Sequence, residues 1–387
     1  MNVAVVSGID RHVLDTLLQR GPRMDANGKA VGFLVVGVGG MGAQRAAAAT
    51  VANGCRLVAV VDCDEARAHA VAARHGVAVA TSLRAGLELP GVDAVVIATP
   101  HSDHAGSVRS AMEVGKSVLC EKPLAIDAAA ARNLAEQADA ARVRLATGFN
   151  HRFDPPVRDA LRLVNDWSIG RVEGVRAVIG HKASAEFLGG WHADVARSGG
   201  GSLMDHGPHA CDLIRRFLGE VVAAQGLVRH GMDLPPGCES EAFALFRDHD
   251  RGIAELRTSW AHETGYLTVE VRGSLGSLRV ETAPWRLTGT LAGGVRIDRR
   301  YLGDRIGERA FRRRHGCQRS LVRELEAFVS HGAHPRPGGT GWDGCRATEM
   351  IQAVYRSEAE AREVALDPLP VPPRTARPSV SARGAFA

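Results

Sequence analysis

Two patterns of apolar residues divide the chain. From residue 31 to about 149, short unalternating runs of Val, Ile, Leu and Ala are separated by Ala-rich segments of helical length. Apolar runs without alternation are typical of parallel strands that helices cover on both faces. The pattern therefore predicts a doubly wound α/β domain. Its strands are predicted at Phe33–Val38, Leu57–Asp62, Ala94–Thr99, Ser117–Cys120 and Arg144–Phe149, and its helices at Met41–Asn53, Asp64–His75, Asp103–Val114 and Asp127–Ala141.

After residue 150 the apolar residues follow period-two alternation, which indicates a mostly antiparallel, open sheet with one face on helices and one face in water. The predicted strands are Arg171–His181, Glu241–Phe246, Gly252–Trp260, Tyr266–Arg272 and Ser277–Glu281, and the predicted helices are Pro156–Asn165, Ser202–Leu218, Ser320–Ser330 and Gly344–Ala365. The fold class is therefore α/β followed by α+β. The predicted units are an extension at 1–30 (an arm, or a small strand and helix), an α/β domain at 31–149, a second, α+β domain at 150–366, and a tail at 367–387.

Composition excludes several classes of protein. The chain has 387 residues, 45% apolar and 24% charged, which is ordinary for two globular domains. Its net charge of +5 comes from scattered arginines, and the densest cluster, Arg312–His315, has no interleaved aromatics, so it predicts a solvated face or a contact to an anionic substrate group rather than nucleic-acid binding. Seven dispersed cysteines without a CxxC pair indicate small buried residues in a reducing compartment. With no apolar run of membrane-spanning length and no secretory signal, we expect a cytoplasmic enzyme with no membrane partner.

A glycine-rich turn follows the first predicted strand. Glycines of this spacing permit a tight turn, close approach of backbone to a pyrophosphate and close packing of the next helix, whose N-terminal N–H groups favour phosphate. Asp62 closes the next apolar run, where a carboxylate accepts hydrogen bonds from the adenosine ribose and disfavours a 2′-phosphate. Arg67, in the first turn of the following helix, is the residue that would reach over to a 2′-phosphate. The predicted dinucleotide site therefore contains Gly37, Gly39, Gly40, Met41, Gly42 and Asp62.

Two further polar segments follow strand ends at the same predicted edge, where open α/β sheets bind ligands. The first holds Thr99, Pro100, His101 and His104, and the second is Glu121-Lys122-Pro123. A lysine between a strand end and a proline is held in a fixed direction, and its ammonium stabilises negative charge on an alcohol or carbonyl oxygen. Lys122 is therefore a candidate catalytic residue, with an ordinary solvated lysine as the alternative.

A third segment, residues 199–212, combines three glycines with Asp205 and His209. Four residues apart, these two side chains share one helix face, and Pro208 is compatible with a helix start there. A neutral histidine accepts an alcohol proton near neutral pH, and a nearby carboxylate orients it. The alternative from this segment alone is a helix cap and a core histidine. His206 and Asp212 are expected to be structural or supporting residues.

Together these segments resemble the glucose–fructose oxidoreductase, inositol dehydrogenase and rhizopine-catabolism (Gfo/Idh/MocA) family, from about Val31 to Val364. The resemblance rests on Gly37–Gly42, Asp62, Thr99-Pro100 with His104, Glu121-Lys122-Pro123, and the Gly-rich segment with Asp205 and His209. It implies a Rossmann domain followed by an open-sheet domain, and hydride transfer between a nicotinamide and a sugar or cyclitol. Two departures are His101, where many members have asparagine, and Trp191-His192, where Trp-Arg is frequent.

The resemblance also assigns site residues. The implied catalytic residues are Lys122, Asp205 and His209, with Asp205 tuning His209. The cofactor set gains Thr99, Pro100, His101, His104, Glu121 and Lys122, and the substrate set is Lys122, Asn150, Arg152, Trp191, His192, Asp205 and His209; no metal ligands are predicted.

The function predicted from the sequence is an NAD-dependent dehydrogenase of a sugar, amino sugar or cyclitol, with NADP less favoured. It is expected to form a homo-oligomer, a dimer or tetramer, through the sheet of its second domain. One alternative is a biosynthetic ketoreductase for nucleotide-linked or amino sugars, whose diphosphate would meet residues 312–319. An alternative from another class is a cofactor-binding sensor without turnover.

Overall fold

The computed structural model describes residues 30–231, 233–330 and 338–369. All but one residue of the predicted N-terminal extension and all but three of the predicted tail lie outside these ranges. Among the described helices, none is both long enough and apolar enough to cross a membrane. The seven cysteines are free; five are buried as predicted, whereas Cys55 is half-buried and Cys63 is exposed.

The N-terminal sheet has six parallel strands in the order β3-β2-β1-β4-β5-β6. They are β1 Val31–Val36, β2 Cys55–Val61, β3 Ala78–Val79, β4 Ala94–Ile97, β5 Ser117–Glu121 and β6 Leu145–Gly148, with helices at Gly40–Val51, Glu65–His75, Leu83–Leu87, His101–Glu113 and Ala128–Ala141. Separate apolar clusters cover the two faces, which confirms the doubly wound prediction. The order reverses between β1 and β4, so the ligand-binding crevice of such a sheet falls at their carboxyl ends.

The second sheet has nine strands in the order β14-β13-β12-β11-β7-β10-β9-β8-β15. They are β7 Val172–Lys182, β8 Val221–Arg229, β9 Glu241–Asp248, β10 Ile253–Ser259, β11 Ala261–Gly273, β12 Gly276–Thr282, β13 Trp285–Thr290, β14 Arg296–Arg300 and β15 Val364–Ala365. Among these described strands, β7 and β10 form the parallel pair and the other neighbours are antiparallel. The sheet is therefore mostly antiparallel, as predicted.

Helices cover one face of the second sheet. The remaining α-helices are Pro155–Asn165, Ala185–Leu188, Val195–Ser198, Ser202–Leu218, Leu302–His315, Arg319–Val329 and Gly341–Glu360, with 3₁₀ turns at Asn150–Phe153, Trp191–Ala193 and Ala292–Gly294. The Ser202–Leu218 and Gly341–Glu360 helices carry the apolar residues that form the core against this sheet.

Three predictions of the element list were wrong. The chain closes with three long helices rather than two, because the Leu302–His315 helix has no buried residue and so no apolar stripe to detect. The last helix ends at Glu360, and the predicted continuation to residue 365 is the edge strand β15 instead. Strands β8, β13 and β14 and the short β3 were not predicted. The predicted solvated face at Arg312–Arg314 is confirmed, because these residues are exposed in the last turn of their helix.

Candidate active site

The glycine turn after β1 has the geometry of a phosphate-binding site. Gly37 has a φ of +77°, and a Cβ on Gly42 would lie 1.7 Å from the Gly37 carbonyl oxygen, so both positions require glycine. A Cβ on Gly39 or Gly40 would meet nothing within 4 Å, which leaves the backbone open to a ligand. Among the described residues no side chain caps the helix that begins at Gly40, so its first N–H groups are available to a pyrophosphate. The turn therefore fits a dinucleotide.

Asp62 lies beside this turn, at the end of β2. Its Oδ2 accepts a hydrogen bond from the Val38 N–H at 2.7 Å and its Oδ1 accepts one from the Asp64 N–H at 2.9 Å. Burial acts to raise the pKa of Asp62, but these two N–H groups and Arg67 outweigh it and lower the pKa. Arg67 Nη1 is 3.2 Å from Asp62 Oδ1, so a ribose hydroxyl would have to replace this half-exposed guanidinium. The Arg67 side chain is 46% exposed whereas that of Asp62 is 4% exposed, so the exchange would return the guanidinium to water and leave the carboxylate in place.

The segment after β4 contains a buried histidine that links two loops of the site. His104 is fully buried, with Nδ1 2.7 Å from the Pro123 carbonyl oxygen and Nε2 2.9 Å from the Thr99 carbonyl oxygen. Both ring nitrogens thus contact backbone, and the ring joins the two loops that border the crevice. A cofactor contact by the His104 side chain is not the geometry found. Pro100 precedes the first residue of the His101–Glu113 helix, which begins at His101 rather than at Asp103.

His101, the first departure from the family pattern, is almost buried at 5% exposure. Its Nδ1 lies 2.8 Å from the Ser198 carbonyl oxygen, and its ring meets the edge of Trp191 at 4.7 Å between centroids. Burial, together with His104 and Lys122, holds the pKa of His101 well below its usual value. It is therefore neutral at pH 7 and does not add a second titrating group there.

Glu121 points away from the crevice. Its Oε1 accepts a hydrogen bond from Arg45 Nε at 2.5 Å, and Arg45 Nη1 lies 2.6 Å from Glu324 Oε2. All three side chains are buried. A cofactor contact by the Glu121 carboxylate is therefore not the geometry found, because this carboxylate is bonded to the helix that follows the glycine turn. The network joins the Gly40–Val51 helix, the Arg319–Val329 helix and the end of β5, which directly precedes Lys122 in the chain.

Lys122 reaches from the end of β5 to the Ser202–Leu218 helix. Its Nζ donates to the Asp205 backbone oxygen at 2.5 Å and lies 3.0 Å from Asp205 Oδ1. The other carboxylate oxygen of Asp205 accepts a hydrogen bond from Trp260 Nε1 at 3.1 Å. Burial alone would raise the pKa of Asp205, but Lys122 and then His206 hold it well below the usual value, so Asp205 is a carboxylate.

The helix that carries Asp205 begins at the three glycines because nothing larger fits there. Glu239 accepts hydrogen bonds from the Gly201 and Leu203 N–H groups at 2.8 and 2.7 Å, and a Cβ on Gly201 would lie 2.0 Å from the Glu239 backbone oxygen. The helix that was predicted to begin after the three glycines is thus confirmed, with its predicted bounds Ser202–Leu218. Pro208 lies inside the helix, so the interpretation that it marks a start is wrong.

His209 lies one turn after Asp205 and is nine-tenths buried. Burial is the largest of the influences that hold its pKa well below the usual value, followed by His151, Lys122 and His206. Asp205 acts on His209 only through its charge, because both carboxylate oxygens are bonded elsewhere. The expected orientation of His209 by Asp205 is therefore not the geometry found; His151, in edge contact at 4.7 Å, is its ring partner.

A stack of rings forms one wall of the site. His192 lies between Phe187 and Trp191, with centroid distances of 4.0 and 3.9 Å and interplanar angles of 23° and 25°. Burial lowers the pKa of His192 to about 4, so this stack is uncharged at pH 7. Both faces of the His192 ring are thus covered by aromatic neighbours.

His181 and His206 pair beside Asp205. His181 Nδ1 lies 2.8 Å from His206 Nε2, which in turn is 3.6 Å from Asp205 Oδ2. These three atoms form the group among the described residues with the spacing of a metal-ligand set. Asp205 is already bonded to Lys122 and Trp260, and burial lowers the pKa of His206 to about 4. We interpret the pair as a neutral hydrogen-bonded support of the carboxylate, and the absence of a resident metal stays a prediction.

Two residues of the predicted substrate set lie under the site instead. Arg152 is 4% exposed; its Nε donates to Asp212 at 2.7 Å, its Nη1 donates to the Gly338 carbonyl oxygen at 2.8 Å, and its Nη2 lies 3.0 Å from Asp343. Each guanidinium nitrogen thus has a protein partner, so a substrate contact by Arg152 is not the geometry found. Asn150 is likewise buried, with its amide donating to Ser320 Oγ at 3.1 Å. The supporting role expected for Asp212 agrees with this ion pair.

Comparison with known proteins bears directly on this site. The oxidoreductase family with an NAD-binding Rossmann fold, Gfo/Idh/MocA, matches residues 31–149, and the C-terminal domain of the same family matches residues 157–279. The chain belongs to this family. It is an NAD-dependent oxidoreductase, and the predicted resemblance is confirmed.

Individual relatives span nearly the same length. Inositol 2-dehydrogenase 1 of Saccharopolyspora erythraea is 42% identical over 353 residues, 86% of this chain and 95% of the relative. An inositol 2-dehydrogenase of Rhizobium meliloti is 29% identical over 346 residues, 87% of this chain and 99% of the relative. The crystal structure of GenD2 from gentamicin A biosynthesis, in complex with NAD, is 28% identical with a TM-score of 0.73, over 90% of this chain and 99% of that one.

Several residues of the site were not found from the sequence. Trp260, Glu239, His181 and His151 lie on other strands and loops, far from Asp205 and His209 along the chain. None belongs to a local motif, and only the fold brings them together. His151 and His181 carried a weak signal, since histidine clusters in segments that flank the glycine-rich helix.

Proposed function

We propose that the protein oxidises a secondary hydroxyl of a neutral sugar or cyclitol, of the inositol type, with NAD as hydride acceptor. The observation that carries the proposal is the meeting of Lys122 with the helix of Asp205 and His209 at the edge of the nucleotide-binding sheet. The named activity of the inositol 2-dehydrogenase relatives supports the substrate class.

Each of the three residues has a distinct part in this reaction. His209, kept neutral by burial, accepts the proton of the substrate hydroxyl. The Lys122 ammonium donates to the same oxygen and stabilises the negative charge that develops there. Asp205 fixes the direction of that ammonium through its backbone oxygen and its carboxylate. NAD, when bound along the glycine turn, supplies the hydride acceptor.

The charge of the site favours a neutral substrate. The cation nearest the reacting position, Lys122, is paired with Asp205, and the buried Arg152 is bonded to Asp212 and Asp343. Burial lowers the pKa of His192 and His206 to about 4, so neither provides a positive charge at neutral pH. A phosphorylated or carboxylated sugar would therefore be desolvated without a counter-charge, which costs several kcal/mol. This argument disfavours nucleotide-linked sugars as well.

A substrate screen tests the proposal. Inositols, neutral hexoses and amino sugars are supplied with NAD, and the absorbance of reduced nicotinamide is followed with matched anionic sugars as controls. We expect turnover with at least one neutral cyclitol or sugar and little with glucose 6-phosphate or glucuronate. Binding of NAD without turnover of any polyol would favour the sensor alternative and contradict the proposal.

The oligomeric state and location belong to the same proposal. The outer face of β8, β9 and β10 exposes four large apolar side chains, Leu227, Phe243, Leu245 and Ile253, at 67%, 42%, 50% and 53%. Their strands are direct neighbours, so the side chains form one patch, and a patch of this kind is commonly buried against a second copy. We expect Leu245→Glu to shift the protein to monomer in multi-angle light scattering; a parent protein that is already monomeric would contradict this. A cytoplasmic location follows from the need for the cell's NAD pool.

A further inference from the structure

His209 has to release the proton that it accepts, and little of its side chain contacts water. The His209 side chain is nine-tenths buried, and its Nδ1 is enclosed without a hydrogen-bond partner among the described residues. The charged and titratable groups that face it are Lys122, Asp205, His206 and His151. Lys122 is a donor only, and Asp205 is bonded to Lys122 and Trp260. His206 already pairs with His181, so His151 is the acceptor left for this proton.

His151 has the geometry of a proton carrier between His209 and solvent. The two rings meet edge to face, with centroids 4.7 Å apart and planes at 80°. The His151 side chain is 27% exposed, so the ring contacts both the buried histidine and water. Its Nδ1 lies 2.7 Å from Asp154 Oδ2, and this carboxylate is 8% exposed. A carboxylate at one ring nitrogen fixes the N–H there and leaves the lone pair on Nε2, as in other carboxylate–histidine pairs.

We propose that His151, oriented by Asp154, carries the substrate proton from His209 to solvent. This inference rests on the proposed function. In this role His151 acts through His209, as a positioning and relay residue rather than a catalytic one. The pair lies in the 3₁₀ turn and loop that follow β6, which connects the two sheets and so borders the crevice.

The transfer balances in two steps. In the first, the hydroxyl O–H bond breaks and an N–H bond forms on His209, while the hydride leaves the same carbon for the nicotinamide. In the second, the His209 N–H bond breaks and a new N–H bond forms on His151 Nε2, and that proton then passes to water or buffer. The second step crosses from ring to ring by rotation of either imidazole or through one water. In reduction of a ketone, both steps run in reverse.

Replacement of the carrier makes turnover depend on buffer. We expect His151→Gln to lower kcat about tenfold in dilute buffer with little change in NAD affinity, since proton-transfer groups contribute up to about 10²–10⁴-fold. Added imidazole, which can carry the proton in place of the side chain, is expected to restore most of the loss. Asp154→Asn is expected to give a smaller loss that imidazole also restores. His249→Gln, at an exposed turn, is the matched control and should leave kcat unchanged and independent of imidazole.

Three outcomes would overturn the inference. The first is a His151→Gln enzyme as fast as the parent in dilute buffer. The second is a loss of kcat that imidazole does not restore, which would assign His151 a purely structural role. The third is failure of both the His151 and the Asp154 variants to fold, which would also assign these residues a purely structural role. The parent enzyme separates this test from the proposed function: if it turns over no neutral polyol the function is wrong, whereas an active parent with an unaffected variant rejects only the carrier.

Discussion

Lys122 donates to Asp205 twice, to the backbone oxygen at 2.5 Å and to the carboxylate at 3.0 Å. Lys122 directly follows a strand of the nucleotide-binding sheet, and Asp205 lies on the first turn of a helix that packs on the other sheet. The two contacts therefore fix one ammonium between the two halves of the molecule. Trp260 and Glu239 hold the helix side of this pair from the second sheet. The direction of Lys122 thus depends on both halves.

The pH dependence of turnover follows from the buried state of His209. Burial and the nearby His151 and Lys122 hold its pKa well below the usual value, so the ring is neutral at pH 7 and gains a proton only in acid. We expect kcat/KM for alcohol oxidation to be flat through neutral pH and to fall only well below about pH 6.5, the ordinary pKa of histidine. The check is a pH profile with a constant-ionic-strength buffer. An inflection above pH 7 that His209→Gln removes would contradict this assignment.

Stability should also depend on pH, through the same burial. The pKa values of His101, His181, His192, His206 and His209 are all lowered, with burial the largest cause in each. When the folded pKa lies below the unfolded value, the unfolded chain takes up protons first, so stability is present above about pH 6.5 and is lost as the pH falls. We expect Tm to fall between pH 7 and pH 5 in calorimetry. A Tm that is constant or rises over this range would show that these rings are not buried neutral.

Cofactor choice is expected to turn on Asp62 and Arg67. In Asp62→Ser the carboxylate that receives the ribose is lost, and Arg67 keeps only its contact to Asp64, so its Nη1 becomes available to a 2′-phosphate. We expect kcat/KM with NAD to fall about tenfold, which corresponds to a loss of about 1.4 kcal/mol of transition-state stabilisation. We expect kcat/KM with NADP to rise. The double variant with Arg67→Ala should lose the gain with NADP. Unchanged cofactor preference in Asp62→Ser would place the ribose elsewhere.

Arg152 distinguishes a supporting role from substrate contact. Its guanidinium is buried in ion pairs with Asp212 and Asp343, and loss of one partner of a buried pair costs about 3–5 kcal/mol. Arg152→Met should therefore lower the free energy of unfolding by about that amount in urea titration. Arg84→Met, at a pair whose side chains are 92% and 69% exposed, is the control and should change it by under about 1 kcal/mol. An Arg152→Met enzyme that is as stable as the parent but has a raised KM would contradict the supporting role and favour a direct contact of Arg152 with the substrate.

The sequence was sufficient for features that depend on local spacing. The glycine turn, Asp62, Lys122 at a strand end and the Ser202–Leu218 helix were each predicted from neighbours along the chain. Two predicted cofactor residues have side-chain contacts that the sequence did not predict. His104 and Glu121 occupy the right edge of the sheet, but their side chains turn inward to bond backbone and Arg45, and sequence position alone does not tell which way a side chain turns.

Contacts between elements that are far apart in the chain could not be predicted from the sequence. Trp260 at Asp205 and His151 at His209 join residues far apart in the chain that no motif links. The Leu302–His315 helix was missed for a related reason, because it buries no residue and so has no apolar stripe. The spacing of apolar residues predicts which residues are buried. It does not predict which polar side chains bond to each other.

Hydride transfer in a Lys122→Met enzyme is the most direct test of the central claim. NAD binding is first measured by fluorescence titration, and reduction of the bound nicotinamide by the best neutral polyol is then followed in a single turnover, beside the parent protein. We expect NAD affinity close to that of the parent and a rate of reduction lower by about 10²-fold or more. A Lys122→Met enzyme that reduces NAD as fast as the parent would contradict the assignment of this crevice as the site of reaction.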